Sequence, residues 1–167
     1  AELSQTRINT GKKISSAADD PTKFSIANAL MTNAGDFLKL QDTMKQGIKT
    51  LEATIGGLNA IKSMLENMQG KIDTARATND TTARGAASRS YSSFVTQITN
   101  QANDTSYNGK NLIKDTGTGN TYDFHIIFGI DTTALSSYTI AAIGSTAASL
   151  GLDSSANSWA ADADIDA

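Results

Sequence analysis

The chain has 167 residues and carries 14 Lys and Arg against 17 Asp and Glu, a formal net charge of −3. That length fits about one domain, and the thin, mixed charge excludes a basic face for nucleic acid. The sequence has no cysteine and a single histidine, which excludes disulfides, thiol nucleophiles and Cys/His zinc sites, and no run approaches the ~18 apolar residues of a membrane span.

Residues 1–13 read as a linker or helix end with Thr10-Gly11 as the stop, and they lack the apolar stretch of a signal peptide. The first residue is not Met, which suits processing or truncation. Ser15-Ser16-Ala17-Ala18-Asp19-Asp20-Pro21 reads as a turn and a helix start: Asp19 or Asp20 caps the first N–H groups, and Pro21 suits the first turn. From there to about Thr78 an apolar residue recurs every three or four places. The seam is Leu30, Ala34, Phe37, Met44, Ile48, Leu51, Ile55, Leu58, Ile61, Leu65, Met68, Ile72 and Ala75, with Gln41 the interruption. This spacing predicts a helix of roughly 55 residues with one narrow face for other helices, on the order of 80 Å long. Its phase slips between Leu58 and Ile61, beside Gly56 and Gly57, which predicts a change of direction or of partner there.

Asn79 and Asp80 mark a break, with Thr81 or Thr82 as the cap of a second helix whose stripe is Ala83, Ala87, Tyr91, Phe94, Ile98 and Ala102. Lying antiparallel along the last third of the first helix, it leaves Leu30 to Ile55 uncovered. A long helix gains most of its stability from burying its apolar face, so the cover is expected from sequence not present here or from neighbouring copies. Asn108-Gly109 predicts a type I′ turn, and Asn111-Leu112-Ile113 a short strand. After a Gly/Thr loop, Tyr122, Phe124, Ile126, Phe128 and Ile130 alternate with Asp123, His125, Ile127, Gly129 and Asp131, a half-buried strand. A second strand is expected over 138–143, pairing with the first. Residues 145–152 fit no single element. Ser158 is expected to cap a helix opening at Trp159, rich in acidic residues in its first turn and continuing past Ala167, with a frayed acidic tail as the alternative. The fold class that follows is mainly α with a small β part, a long antiparallel helical rod with a β-hairpin region. Its parts are a linker over 1–13, the rod over 14–113, a β-bearing part over 114–157 and a helix start over 158–167.

No constellation in the sequence supports catalysis. His125 sits on the polar side of its strand, where a solvent-facing side chain is the default. Thr116-Gly117-Thr118-Gly119 has neither the P-loop lysine nor dinucleotide spacing. Asp19 and Asp20 read as caps rather than an acid/base pair, and Asp162 and Asp164 lack the series a calcium loop needs. A serine nucleophile requires a histidine or lysine base in a cleft, and nothing in the sequence marks one. No catalytic, metal or cofactor-binding residue is assigned, and the chain reads as a non-enzyme.

Arg7-Ile8-Asn9-Thr10-Gly11-Lys12-Lys13-Ile14-Ser15-Ser16-Ala17-Ala18-Asp19-Asp20, followed by Ile26-Ala27-Asn28 and Thr105-Ser106-Tyr107-Asn108-Gly109, resembles bacterial flagellin in order and separation. Ala148-Ser149-Leu150-Gly151-Leu152 is similar to a later passage of the same family. The resemblance implies a non-enzymatic subunit of the extracellular flagellar filament, self-assembling for motility, with residues 1–13 as the spoke into the rod. It implies other flagellin copies, an export chaperone and a filament cap as partners, and no cofactor. Arg7, Gly11, Ile14, Ala17, Asp19, Asp20 and Asn28 match its motif and are candidates for subunit contact or for the start of the rod, with turn and capping roles as the alternative. Asn108 and Gly109 match its turn. In the stretch Leu65-Glu66-Asn67-Met68-Gln69-Gly70-Lys71 the arginines and the expected glutamate that an innate immune receptor reads in many flagellins are not in place, so receptor binding is not expected. Two other readings stand beside this one. Asp20-Pro21 is similar to a motif of the hook–filament junction protein, and a cell-surface homologue would bind a glycan or receptor through 114–157.

Overall fold

The computed structural model describes residues 8, 9, 11, 13, 14, 16–114, 123–127, 129 and 136–166. Helix α1 runs without a break over Pro21–Arg76, 56 residues, and α2 follows over Thr81–Asp104. Strands β1, Phe124–Ile127, and β2, Ser137–Ile140, form a two-stranded sheet. A 3-10 turn over Ala156–Trp159 precedes the single-turn helix α3, Asp162–Ile165. The chain falls into two compact units, Ala1–Met44 with Ile127–Ser137, and Lys45–Ile126 with Tyr138–Ala167.

Asp20 starts α1 as the sequence predicts. Its Oδ1 accepts from the Lys23 amide at 3.1 Å and its carbonyl from the Phe24 amide at 2.9 Å, satisfying donors that a helix start leaves open. The break between the helices begins two residues earlier than predicted, after Arg76 rather than about Thr78, and its cap differs. Asp80, not Thr81 or Thr82, is the N-cap of α2: it holds an extended backbone while its Oδ1 accepts from the Thr82 amide at 2.9 Å. A carboxylate with the right backbone outcompetes hydroxyls already inside the first turn.

The second unit holds two apolar cores. Ile61 and Met68 of α1 pack with Ile98 and Ala102 of α2, Ile113 and Ala147. Ala75 packs with Ala87, Trp159 and Ile165, and Tyr91 touches both cores. Ala75 meets the start of α2 and Ile61 its end, the order of an antiparallel pair. Ile98 and Ile113 are fully enclosed, each worth about 1.5–3 kcal/mol relative to exposure.

Asn108 and Gly109 make the predicted turn, with φ of +50° and +76°, between Tyr107 and Lys110, which exchange two backbone bonds of 2.9 Å. Residues 111–113 are not a strand. The Asn111 side chain takes over their hydrogen bonding: Oδ1 accepts from the Ile113 and Lys114 amides at 3.0 and 2.9 Å, and Nδ2 donates to the Ala102 and Asn103 carbonyls at 2.7 and 3.1 Å. The segment is thereby pinned to the last turn of α2.

The strand predicted over 138–143 stops at Ile140. Beyond it the amide of Ala142 turns to the Asp123 carboxylate at 3.0 Å and that of Ile143 to the Leu112 carbonyl at 2.8 Å, so the ladder loses its donors. In β1, Phe124 and Ile126 are half-buried and His125 is exposed, as the alternation predicts. His125 Nδ1 lies 2.7 Å from Thr139 Oγ1 across the sheet. The predicted strand positions Tyr122, Phe128, Ile130 and Asp131, and the Gly/Thr loop, lie outside the described residues. Residues 146–152 resolve into a tight turn, with Leu152 N bonded to the Ala147 carbonyl at 2.8 Å and Gly151 at φ +70°.

Ser158 does not cap a helix. Ser158 and Trp159 both adopt positive φ, +52° and +57°, which is not the extended backbone of an N-cap. The helix opens four residues later, where the Asp164 carboxylate accepts from the Ala161 amide at 2.9 Å.

Candidate subunit-docking faces

The apolar seam of α1 divides into exposed and buried parts. In the first unit Leu30 is 63% exposed and Phe37 58%, with Ile26, Met31 and Leu38 also open. In the second unit Ile48 and Leu58 are exposed and Ile55 is 57% open, whereas Ile61 is 3% and Met68 2% exposed. Isolated apolar residues on a surface need no explanation, but a periodic series on one helix does.

The crossover falls at the phase slip, beside Gly57, and the helix itself continues through it. At 3.6 residues per turn, Ile48 and Ile55 lie between about a quarter and a half of a turn from the face of Gly47, Thr50, Gly57 and Ile61, with Leu58 near its edge. The latter face is buried, and its upper half is lined by small residues. A Cβ at Gly47 would sit 3.0 Å from Phe124 Cε1, and one at Gly57 would run into Thr105 and stand 3.0 Å from Ile113 Cδ1. Small residues let the hairpin and the 105–113 segment close on α1. The large apolar side chains are displaced to a neighbouring face, where they remain exposed. The predicted change at the slip is therefore one of partner, with no interruption of the helix.

The sequence-predicted site residues do not converge on one spot. Arg7 lies outside the described residues. Gly11 is exposed with φ +64°, and nothing stands within 4 Å of where a Cβ would be. Ile14 is half-buried and Ala17 exposed, and Asp19 donates its amide to the Ser16 carbonyl in the turn. Asp20 caps α1 and pairs with Lys23 Nζ at 2.7 Å. That ammonium contact, together with the Lys23 amide, holds the Asp20 carboxyl below its ordinary range. Asn28 is exposed near the start of α1. Asn108 and Gly109 are exposed at the tip of their turn.

Residues outside the predicted set hold the second unit together. α2 carries a polar column, Arg84, Ser88 and Ser92, that reads as a solvent face in sequence. It faces residues 155–162 instead. Arg84 is buried; its Nε donates to the Thr78 carbonyl at 2.6 Å and its Nη2 to Asp162. Ser155 Oγ lies 2.6 Å from Ser88 Oγ and 3.0 Å from Ser92 Oγ, and Thr99 Oγ1 accepts from the Ala147 amide at 3.3 Å. The recurrence of short polar residues at steps of four was the one available signal. Among the described residues no group of three His, Asp or Glu side chains is placed to hold a metal ion, and no helix is long and apolar enough to cross a membrane.

A family profile described as the bacterial flagellin N-terminal helical region matches residues 1–118. Flagellin FljM of Caulobacter vibrioides is 31% identical over 162 residues, covering 87% of this chain and 59% of that protein. The flagellin of Aquifex aeolicus is 33% identical over 108 residues, 64% of this chain and 21% of that protein. The flagellin of Brucella melitensis is 25% identical over 126 residues, 75% and 43% respectively. The chain thus spans less than two thirds of the length of these relatives. With the profile covering more than half of its residues, and a long helix pair with a small sheet as its fold, the chain belongs to the bacterial flagellin family.

Proposed function

We propose that this chain is the N-terminal and central part of a structural subunit of the extracellular flagellar filament, and that it carries no enzymatic activity. One observation bears most of the weight. α1 presents Leu30, Phe37, Ile48 and Ile55 to solvent on a helix whose continuation is a well-packed core. Covering such residues is the largest favourable term available to an assembling protein, at about 25 cal/mol per Å² of apolar area removed from water. Head-to-tail contacts of this kind that do not close on themselves generate a helical filament.

In this reading the Gly11–Asp20 stretch sets the entry angle of the chain into α1, and Ile14, Ala17 and Asn28 contact neighbouring subunits. Arg7 does the same from the preceding segment. An export chaperone and a filament cap are the further partners. Electron microscopy of the full-length gene product tests the reading. The unaltered protein forms filaments, and a Leu30→Asp/Phe37→Asp double variant with native circular dichroism does not. Filaments of normal length from the double variant would overturn it.

A further inference from the structure

Asn108 is the only asparagine of the chain that is followed by glycine, and the turn that holds the pair leaves both residues open. Asn108 and Gly109 are exposed, and nothing stands within 4 Å of where a Cβ on Gly109 would be. Tyr107 and Lys110 form an isolated bridge outside any sheet, so the turn is closed by two backbone bonds of 2.9 Å. Among the described residues no hydrogen bond engages the Asn108 carboxamide or the Gly109 amide. We propose that Asn108 is a self-modification site, where the folded chain converts asparagine to aspartate and isoaspartate with water as the only co-reactant.

The Gly109 nitrogen, after losing its proton to solvent hydroxide, attacks Cγ of Asn108. A C–N bond forms, the side-chain nitrogen leaves as ammonia, and a five-membered cyclic imide closes. Water then opens the imide. Cleavage at Cγ gives aspartate in an unaltered main chain. Cleavage at the backbone carbonyl carbon gives isoaspartate, whose main chain runs through Cβ and Cγ and is one carbon longer. Glycine leaves the attacking nitrogen unshielded by a side chain. The attack needs Asn108 to turn about ψ, and exposed loop tips open at little cost in free energy. Asparagines in the helices lack that freedom. Asn28, Asn33, Asn59 and Asn67 lie in α1 and Asn100 and Asn103 in α2, where the helix holds the following amide. The amide after Asn79 donates to Thr78 Oγ1 at 3.1 Å, and the Asn111 carboxamide is buried with both its oxygen and its nitrogen engaged. Isoaspartate lengthens the turn, so Tyr107 and Lys110 lose the spacing for their paired bonds. The inference is independent of filament assembly.

The test is peptide mapping by mass spectrometry of the full-length gene product, kept unpolymerised at mildly alkaline pH, once folded and once unfolded in urea. In the folded protein the Asn108 peptide should gain the mass of an amide-to-carboxyl exchange and split into aspartyl and isoaspartyl forms. It should do so several-fold faster than the Asn79 and Asn100 peptides, and nearly as fast as in urea. Asn108→Gln, whose longer side chain closes a six-membered ring less readily, should keep the native circular dichroism and lose the signal. In the isoaspartyl fraction the Tyr107 and Lys110 amides should exchange faster with solvent. Asn108 intact in the folded protein while it converts in urea, conversion no faster than at Asn79, an undiminished signal in Asn108→Gln, or unaltered exchange at Tyr107 and Lys110 would overturn the proposal.

Discussion

Gly56 and Gly57, adjacent on α1, answer to different constraints. Nothing stands within 4 Å of a Cβ at Gly56, whereas one at Gly57 meets Thr105 and Ile113. Gly56→Ala should therefore stabilise by up to about 1 kcal/mol, and Gly57→Ala should destabilise by about 1–3 kcal/mol through overpacking; urea denaturation of the two variants decides it. Asp80→Ala should lose about 1 kcal/mol by removing the cap of α2, and Thr81→Ala should lose much less. Asp20 gives a pH signature. Its carboxyl lies lower in the folded chain than the ordinary value of 3.8, so the stabilisation it gives is present above that value and fades as pH falls through the lowered one. Amide exchange at Lys23 and Phe24 should speed up on acidification through this range, and Asp20→Asn should abolish the dependence. The caps of α1 and the Asn108-Gly109 turn were legible in the sequence because their partners lie within four residues. Arg84 and Asn111 were not. Arg84 meets Asp162 across 78 positions and Asn111 reaches back to the end of α2, and neither residue type announces burial.

Periodicity carried both helices and their pairing, because a seam buried on one side repeats with the helix and needs no knowledge of the partner. What periodicity could not reveal is which face wins where two compete. Over residues 47–57 the small-residue face is covered and the oily one is not, so Gly47 and Thr50 are buried beside an exposed Ile48. Strand ends were illegible for a related reason. β2 stops because the Asp123 carboxylate and the Leu112 carbonyl capture the next amides, and both captors are remote in sequence. The last helix opens at Asp162 rather than at Trp159 for a different reason, the positive φ of Ser158 and Trp159. The division of faces has a measurable consequence. In this chain Leu30→Asp should shift stability by no more than about 0.5 kcal/mol, as for an ordinary surface change. Ile98→Ala, in the enclosed core, should cost about 2–5 kcal/mol.

At the scale of the molecule, the second unit is packed around its cores while α1 carries a periodic series of uncovered apolar residues. Ile61, Met68, Ile98 and Ile113 are enclosed and supply folding energy, whereas Ile26, Leu30, Phe37, Ile48 and Ile55 are exposed and, under the proposed function, would supply assembly energy. The exposed series is narrow and interrupted by charged neighbours such as Asp36 and Lys39. Hydroxyl-radical footprinting of the subunit before and after polymerisation tests this division most directly. Met31 and Phe37 should oxidise readily in the free chain and become protected in filaments, while Met68 stays protected in both. Equal oxidation of Met31 and Phe37 in the two states, or protection already complete in the free chain, would contradict the account.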